Sequence, residues 1–169
     1  GDEERSREIR SYLIEGAKRM PELRFTVHGV RYPELARREI DEAGIEFGGW
    51  IANYRVPEAF ARARVTLHIP RGPYLGRLAG IPTIRPFEAL ACGIPLIMTP
   101  WEDREGLFDA GRDYIAVRSP EEAHRWIQRL VEDEEARGRL AESGLETVLS
   151  RHTCDHRAEQ LEAIHEEAA

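Results

Sequence analysis

Short β-branched runs alternate with helix-patterned stretches along the chain, and this alternation constrains the fold more than any other feature. Arg24-Phe25-Thr26-Val27-His28 reads as a strand that stops at Gly29. Residues 33–43 follow at helical spacing and close at Gly44, where a left-handed residue commonly ends a helix. Ile45-Glu46-Phe47 is a second short strand, residues 57–63 suit a short helix, and Val65-Thr66-Leu67-His68-Ile69 is a third strand. A helix over about residues 86–92 stops at Gly93, and Pro86 fits its first position, where a missing N–H costs nothing. Pro95-Leu96-Ile97-Met98-Thr99 reads as a buried strand and Tyr114-Ile115-Ala116-Val117 as the last one. Ser119 and Glu122 have the spacing of a capping box, opening a helix with Trp126, Ile127, Leu130 and Val131 on one face. Two more helices are expected at about 133–149 and 153–167.

Strands that alternate with helices build βαβ units with right-handed crossovers. The expected fold class is therefore α/β, a Rossmann-like, doubly wound parallel sheet. The length of 169 residues suits one domain over residues 1–169. The first element, over residues 3–20, is a helix with Ile9, Leu13, Ile14 and Ala17 at helical spacing, and no strand pattern precedes it. Doubly wound domains usually open with a strand, often a central one. With Gly1 rather than methionine at the start, this predicts a fragment of a longer chain that lacks its first strand.

Composition narrows the function. Hydrophobic residues at 41% and charged residues at 33% are globular proportions. The net charge of −7 argues against duplex nucleic acid or an anionic membrane as the main partner, because both demand a strongly positive face. No apolar run approaches the roughly 20 residues of a membrane span, and no signal-peptide pattern opens the sequence. Only Cys92 and Cys154 are present, without a Cys-x-x-Cys motif. The expected location is the reducing cytoplasm.

In open α/β sheets, ligands bind at the carboxyl ends of strands. Two strand exits qualify here, His28-Gly29 and residues 70–88. The second is the sharper, because a loop with Pro70, Gly72, Pro73, Gly76, Gly80 and Pro82 leads to a helix start near Arg85. A helix N-terminus offers free N–H groups and positive partial charge to phosphate. Arg71 and Arg85 flank the loop and can add charge-assisted bonds. Glu88 is the only charge between Phe87 and Ile97. It can accept from vicinal ribose hydroxyls, or simply pair with Arg85 three residues earlier on a solvated face.

Other candidates carry less. His28 at a strand end suits either a ligand contact or an edge position, and His68 inside a strand reads as structural. Cys92 reads as a packing thiol, Trp50 as a rim or core aromatic and Trp101 as a cleft candidate. His152, Cys154 and His156 invite a zinc reading, but Thr153 fits a helix cap and no further ligands have suitable spacing, so no metal is expected. The run Glu132-Asp133-Glu134-Glu135 fits a solvated helix junction. The sequence contains no P-loop, no Gly-x-Gly-x-x-Gly, no Gly-x-Ser-x-Gly and no Asp-x-Asp.

The segment Pro82-Thr83-Ile84-Arg85-Pro86-Phe87-Glu88-Ala89-Leu90-Ala91-Cys92-Gly93-Ile94-Pro95-Leu96-Ile97 resembles the donor-site signature of GT-B retaining glycosyltransferases, particularly their CgeB-like branch. Trp101-Glu102, the stretch from Phe108 to Gly111, Tyr114-Ile115-Ala116-Val117, Ser119-Pro120-Glu121-Glu122 and the tail His152-Thr153 with His156-Arg157-Ala158 extend the resemblance, as does Arg24-Phe25-Thr26-Val27-His28-Gly29 upstream. It implies the C-terminal, donor-binding half of a hexosyltransferase, with a nucleoside-diphosphate sugar as donor substrate and no separate cofactor. Glu88 would then meet the ribose, and Thr83 to Arg85 would face the diphosphate. The resemblance also implies a missing N-terminal acceptor-binding domain as partner, and little activity from this half alone. Many relatives carry a sugar-contacting glutamate eight residues before the first one, where this chain has Gly80. The alternatives are a non-catalytic Rossmann-like binding module and a sugar-nucleotide epimerase of similar fold.

Overall fold

The structure is a computed structural model and describes residues 6–70, 78 and 80–168. The chain begins with a helix, α1, in which a π-helical stretch Ile9–Ile14 runs into α-helical Glu15–Arg19. Then follow β1 (Thr26–His28), α2 (Glu34–Glu42), β2 (Glu46–Gly49), a 3-10 turn Asn53–Arg55 and α3 (Val56–Ala61). β3 (Thr66–His68), α4 (Ile84–Ala91), β4 (Leu96–Met98) and β5 (Ile115–Ala116) complete the strands. Three helices close the chain: α5 (Pro120–Glu132), α6 (Glu134–Arg151) and α7 (Cys154–Ala168).

All strand pairing is parallel, as the alternation of elements requires. β1 pairs with β2 in the register Thr26↔Glu46 and Val27↔Phe47, with a slip that sets His28 opposite Gly49. The second sheet has the order β3-β4-β5, with Leu67 opposite Ile97 and Ile97 opposite Ile115.

β4 organises the layers because its side chains alternate between two cores. Leu96 and Met98 enter a cluster with Ala89 and Leu90 of α4, Phe108, Tyr114 and Val148 of α6. Ile97 points the other way, to Met20, Ile115, Val117, Ile127, Leu130 and Leu140. Helices therefore cover both faces, which is the doubly wound arrangement. All three β4 residues are fully buried, each contributing about 1.5–3 kcal/mol relative to an exposed position.

The helix ends follow local chemistry. Gly44 and Gly93 take φ of +70° and +64° just past α2 and α4, the conformation that glycine adopts without a Cβ penalty. Ser119 Oγ accepts the Glu122 N–H at 3.2 Å, and Glu122 Oε2 accepts the Arg118 N–H at 2.8 Å, one residue before the expected partner. Asp133 caps α6 by accepting the Ala136 N–H, so the acidic run is indeed a helix junction. Pro86 corrects the sequence reading: α4 begins at Ile84, with Thr83 as N-cap. Pro86 stands third in the helix, where an N–H still has no partner within the helix.

Two polar contacts fix the helices. The widened turn of α1 presents the Tyr12 carbonyl to Nε2 of the buried His124 on α5, at 3.1 Å. The buried Asp113 accepts from Asp109 N–H at 2.9 Å and from the Ser143 hydroxyl of α6 at 2.8 Å, tying the loop before β5 to that helix. Next to it, α6 approaches closely: a Cβ on Gly144 would lie 2.7 Å from Leu90 Cδ2 and 2.9 Å from the Asp113 carbonyl oxygen. Around Gly138, in the same helix, nothing lies within 4 Å of such a Cβ.

The two glycines of α6 should thus respond to alanine with opposite signs. Gly144→Ala is expected to lower stability by about 1–3 kcal/mol through overpacking. Gly138→Ala is expected to raise it by about 0.5–1 kcal/mol through helix propensity. Urea denaturation of both variants checks the pair.

Candidate functional site

The site forms where β3 gives way to α4. His68, the last residue of β3, hydrogen-bonds through Nε2 to Thr83 Oγ1 at 2.9 Å. Thr83 is the N-cap of α4, yet its side chain makes no capping bond. Its hydroxyl is held by the sheet instead, so the Ile84 and Arg85 N–H groups start the helix without a side-chain acceptor from Thr83. An anion placed there would meet open donors and the positive end of the helix dipole.

Glu88 lies one turn further on. Its Oε2 is buried and has no hydrogen-bond partner, although Arg85 Nη1 stands 2.8 Å away as an ion pair lacking hydrogen-bond alignment. The pairing expected from the i,i+3 spacing is present, and it still leaves acceptor capacity on the carboxylate. A buried acceptor without a hydrogen bond costs stability and marks a place where a ligand hydroxyl can be accommodated. Glu88 also acts on its helix neighbour: burial first, and then its negative charge, push the Cys92 thiol above its ordinary pKa. That suits the packing role expected of Cys92 and opposes a nucleophilic one.

The opposite side of α4 is anchored by rings. Phe87 meets Phe108 at 5.0 Å and His152 at 5.4 Å, both edge to face. His152 Nε2 donates to the Leu107 carbonyl at 2.9 Å, leaving Nδ1 as acceptor for Arg157 Nη2 at 3.1 Å. Both ring nitrogens are therefore occupied. His156 Nδ1 bonds Thr153 Oγ1 at 2.6 Å, and Cys154 is exposed. Among the described residues no group of side chains could hold a metal ion.

The other strand exit lies on the first sheet. Gly29 N–H donates to the Gly49 carbonyl at 2.9 Å. The His28 ring packs against Gly48, where a Cβ would come within 2.1 Å of His28 Cε1. His28 is thus held against β2 at the strand end. Trp50 is 73% exposed, a rim position, whereas Trp101 is half-buried and packs against the Leu90–Phe108–Tyr114 cluster. The structure brings Thr83, Arg85 and Glu88 together at one helix start and sets His28 and Gly29 on the neighbouring sheet. Arg71 lies outside the described residues.

Sequence reasoning missed two contacts around the start of α4. His68 reads as structural in the sequence, but the residue it holds, Thr83, lies 15 positions away and has no local signal. Arg104 is the other. A Cβ on Gly80 would lie 3.1 Å from Arg104 Cδ, so this side chain lies against Gly80 at the end of the loop that leads to α4. Arg104 also bonds Glu102 at 2.9 Å and holds that carboxyl below its ordinary range. Asp103 fixes this loop by accepting the N–H groups of Leu107 and Phe108, each at 3.0 Å.

Comparisons with known proteins agree with this architecture. Residues 6–163 match the family described as glycosyl transferase-like. Among curated proteins no relative matches the sequence. HepE from Anabaena, solved with UDP and glucose, superposes with a TM-score of 0.72 at 17% identity, over 90% of this chain and 43% of that one. The C-terminal domain of the group 1 glycosyl transferase LpcC from Francisella tularensis gives 0.64 at 18% identity, over 87% and 80%. The pneumococcal O-GlcNAc transferase GtfA, solved with UDP and GlcNAc, gives 0.64 at 17% identity, over 92% and 32%. The chain spans less than half the length of HepE and GtfA.

Alkylation kinetics can test the placement of the Glu88 charge. Glu88→Gln removes a charge that raises the Cys92 pKa, so more thiolate forms at a given pH. The Cys92 alkylation rate at pH 8 should then rise by roughly twofold or more, with Cys154 unchanged as internal reference.

Proposed function

Because the chain belongs to the glycosyl transferase-like family and has the fold of a GT-B glycosyltransferase domain, we propose that it is the donor-binding unit of a two-domain glycosyltransferase. Its ligand is a nucleoside-diphosphate sugar. The observation that carries this reading is the buried Glu88 Oε2 without a hydrogen bond, one turn from a helix start without a side-chain cap. Glu88 accepts from the ribose hydroxyls. The open N–H groups after Thr83, together with Arg85 and Arg71, meet the diphosphate, and His28 with Gly29 forms part of the wall from the neighbouring sheet. The UDP in the HepE and GtfA structures is consistent with this ligand class.

Glycosyl transfer breaks the bond between the anomeric carbon and the β-phosphate oxygen, so negative charge develops on the departing diphosphate. In this reading the chain contributes electrostatic stabilisation of that leaving group, through helix N–H groups and guanidinium charge fixed before reaction. The acceptor comes from the second domain, so the unit alone binds nucleotide and turns over little. No helix among the described residues is long and apolar enough to cross a membrane.

Calorimetric titration with UDP, GDP and ADP tests the reading. At least one should bind, and Glu88→Ala should weaken it by about 10- to 100-fold, the worth of hydrogen bonds to a charged group. Binding of none of the three would overturn the donor site, and equal binding by the variant would remove Glu88 from the ribose. Arg71→Ala should weaken nucleoside diphosphate by about tenfold while leaving the nucleoside unaffected, the signature of a phosphate contact.

A further inference from the structure

The mouth of the site carries a second guanidinium that the nucleotide contacts leave unused. Arg104 belongs to the loop that leaves the carboxyl end of β4. β3 and β4 are parallel neighbours, so this loop emerges beside the exit of β3, the end of the sheet at which α4 starts. The Arg104 side chain lies along Gly80: a Cβ there would come 3.1 Å from Cδ, 3.2 Å from Nε and 3.4 Å from Cγ. Gly80 has a φ of +89°, a conformation that glycine adopts freely. It stands three positions before Thr83, the N-cap of α4, a stretch of at most about 11 Å.

The loop that presents Arg104 is stiff. Trp101 packs into the core beneath β4. Asp103 N–H donates to the Trp101 carbonyl at 3.1 Å and Arg104 N–H to the Glu102 carbonyl at 3.0 Å. The Asp103 carboxylate then holds the Leu107 and Phe108 N–H groups. A group placed before its ligand arrives loses less freedom on binding.

The charge itself is lightly engaged. Among the described residues the one polar partner of the guanidinium is Glu102, whose Oε2 accepts from Nη2 at 2.9 Å. Both side chains are more than half exposed, so water and ligands compete for the pair. A guanidinium offers five N–H donors in a planar fork. Those that Glu102 leaves free match a second carboxylate, which can accept two parallel bonds. Arg85, by contrast, stands 2.8 Å from the half-buried Glu88.

Glu88 and Gly80 lie on opposite sides of the helix start along the chain, each four positions from Ile84. α4 rises about 6 Å between Ile84 and Glu88. With a ribose on Glu88 and a diphosphate at the Ile84 and Arg85 N–H groups, the group beyond the second phosphate falls on the Gly80 side. We propose that this group is an acidic sugar, a hexuronate, and that the Arg104 guanidinium receives its carboxylate in competition with Glu102. Arg104 is then a specificity-determining residue that reads the far end of the donor. This assignment rests on the donor-site reading, and the experiment separates the two.

The nucleoside diphosphate that binds best among UDP, GDP and ADP is titrated calorimetrically, together with its glucose and glucuronate conjugates, which differ only in the carboxylate. The glucuronate conjugate should bind the 169-residue chain about tenfold or more tighter than the glucose conjugate. In Arg104→Gln that ratio should fall to about one, and in Glu102→Gln, which removes the competing carboxylate, it should rise severalfold. Equal binding of the two conjugates by the unsubstituted chain, or the same preference in Arg104→Gln, would overturn the proposal and leave the donor site standing. Weakening of the free nucleotide and both conjugates by one factor in Arg104→Gln would place Arg104 on the diphosphate and also overturn it. Binding of no nucleotide at all would remove the donor site, and the sugar assignment with it.

Discussion

The division of Leu96, Ile97 and Met98 between two cores is the constraint on which the rest of the molecule depends. A parallel strand buried on both sides needs a helical layer above and below it, and the chain supplies α4 with α6 on one side and α1 with α5 on the other. Once β4 is enclosed in this way, α4 must stand directly before it, and its first turn must open at the carboxyl end of β3. The position of Thr83, Arg85 and Glu88 is therefore a result of topology before it is a matter of binding. The Phe87–Phe108–His152 ring cluster and the close approach at Gly144 then fix the tilt of α4 against α6.

Within the site, two polar groups are engaged in ways that leave others free. His68 takes the Thr83 hydroxyl, which would otherwise have capped α4. Arg85 approaches Glu88 closely enough to balance its charge but not in hydrogen-bond alignment. The outcome is a helix start with open donors next to a carboxylate with open acceptor capacity. Such a combination suits a ligand that is anionic at one end and rich in hydroxyls at the other. The net charge of −7 is no obstacle to such a ligand, because phosphate recognition can rest on a few fixed groups.

Features that depend on neighbours in sequence were legible. The strands, the glycines after α2 and α4, the Ser119 cap and the Arg85–Glu88 pair all follow from spacing of four residues or fewer. Even there, Pro86 misled the placement of the helix start, because a proline is tolerated at both the first and the third position of a helix. Contacts between distant segments were not legible. His68 with Thr83, Arg104 over Gly80 and His124 with Tyr12 join residues 15, 24 and 112 positions apart. Nothing in the local pattern of His68 distinguishes a core histidine from one that holds a helix cap.

The contact between α1 and α5 has a consequence for solubility. An open strand edge ordinarily templates association with other chains, and natural sheets keep such edges covered. Here α1 packs over apolar side chains at both β1 and β3, and the His124–Tyr12 hydrogen bond helps to hold it down. That single polar contact therefore guards two sticky surfaces at once. A change that lifts α1 would release both together, and the first symptom would be aggregation rather than simple loss of structure.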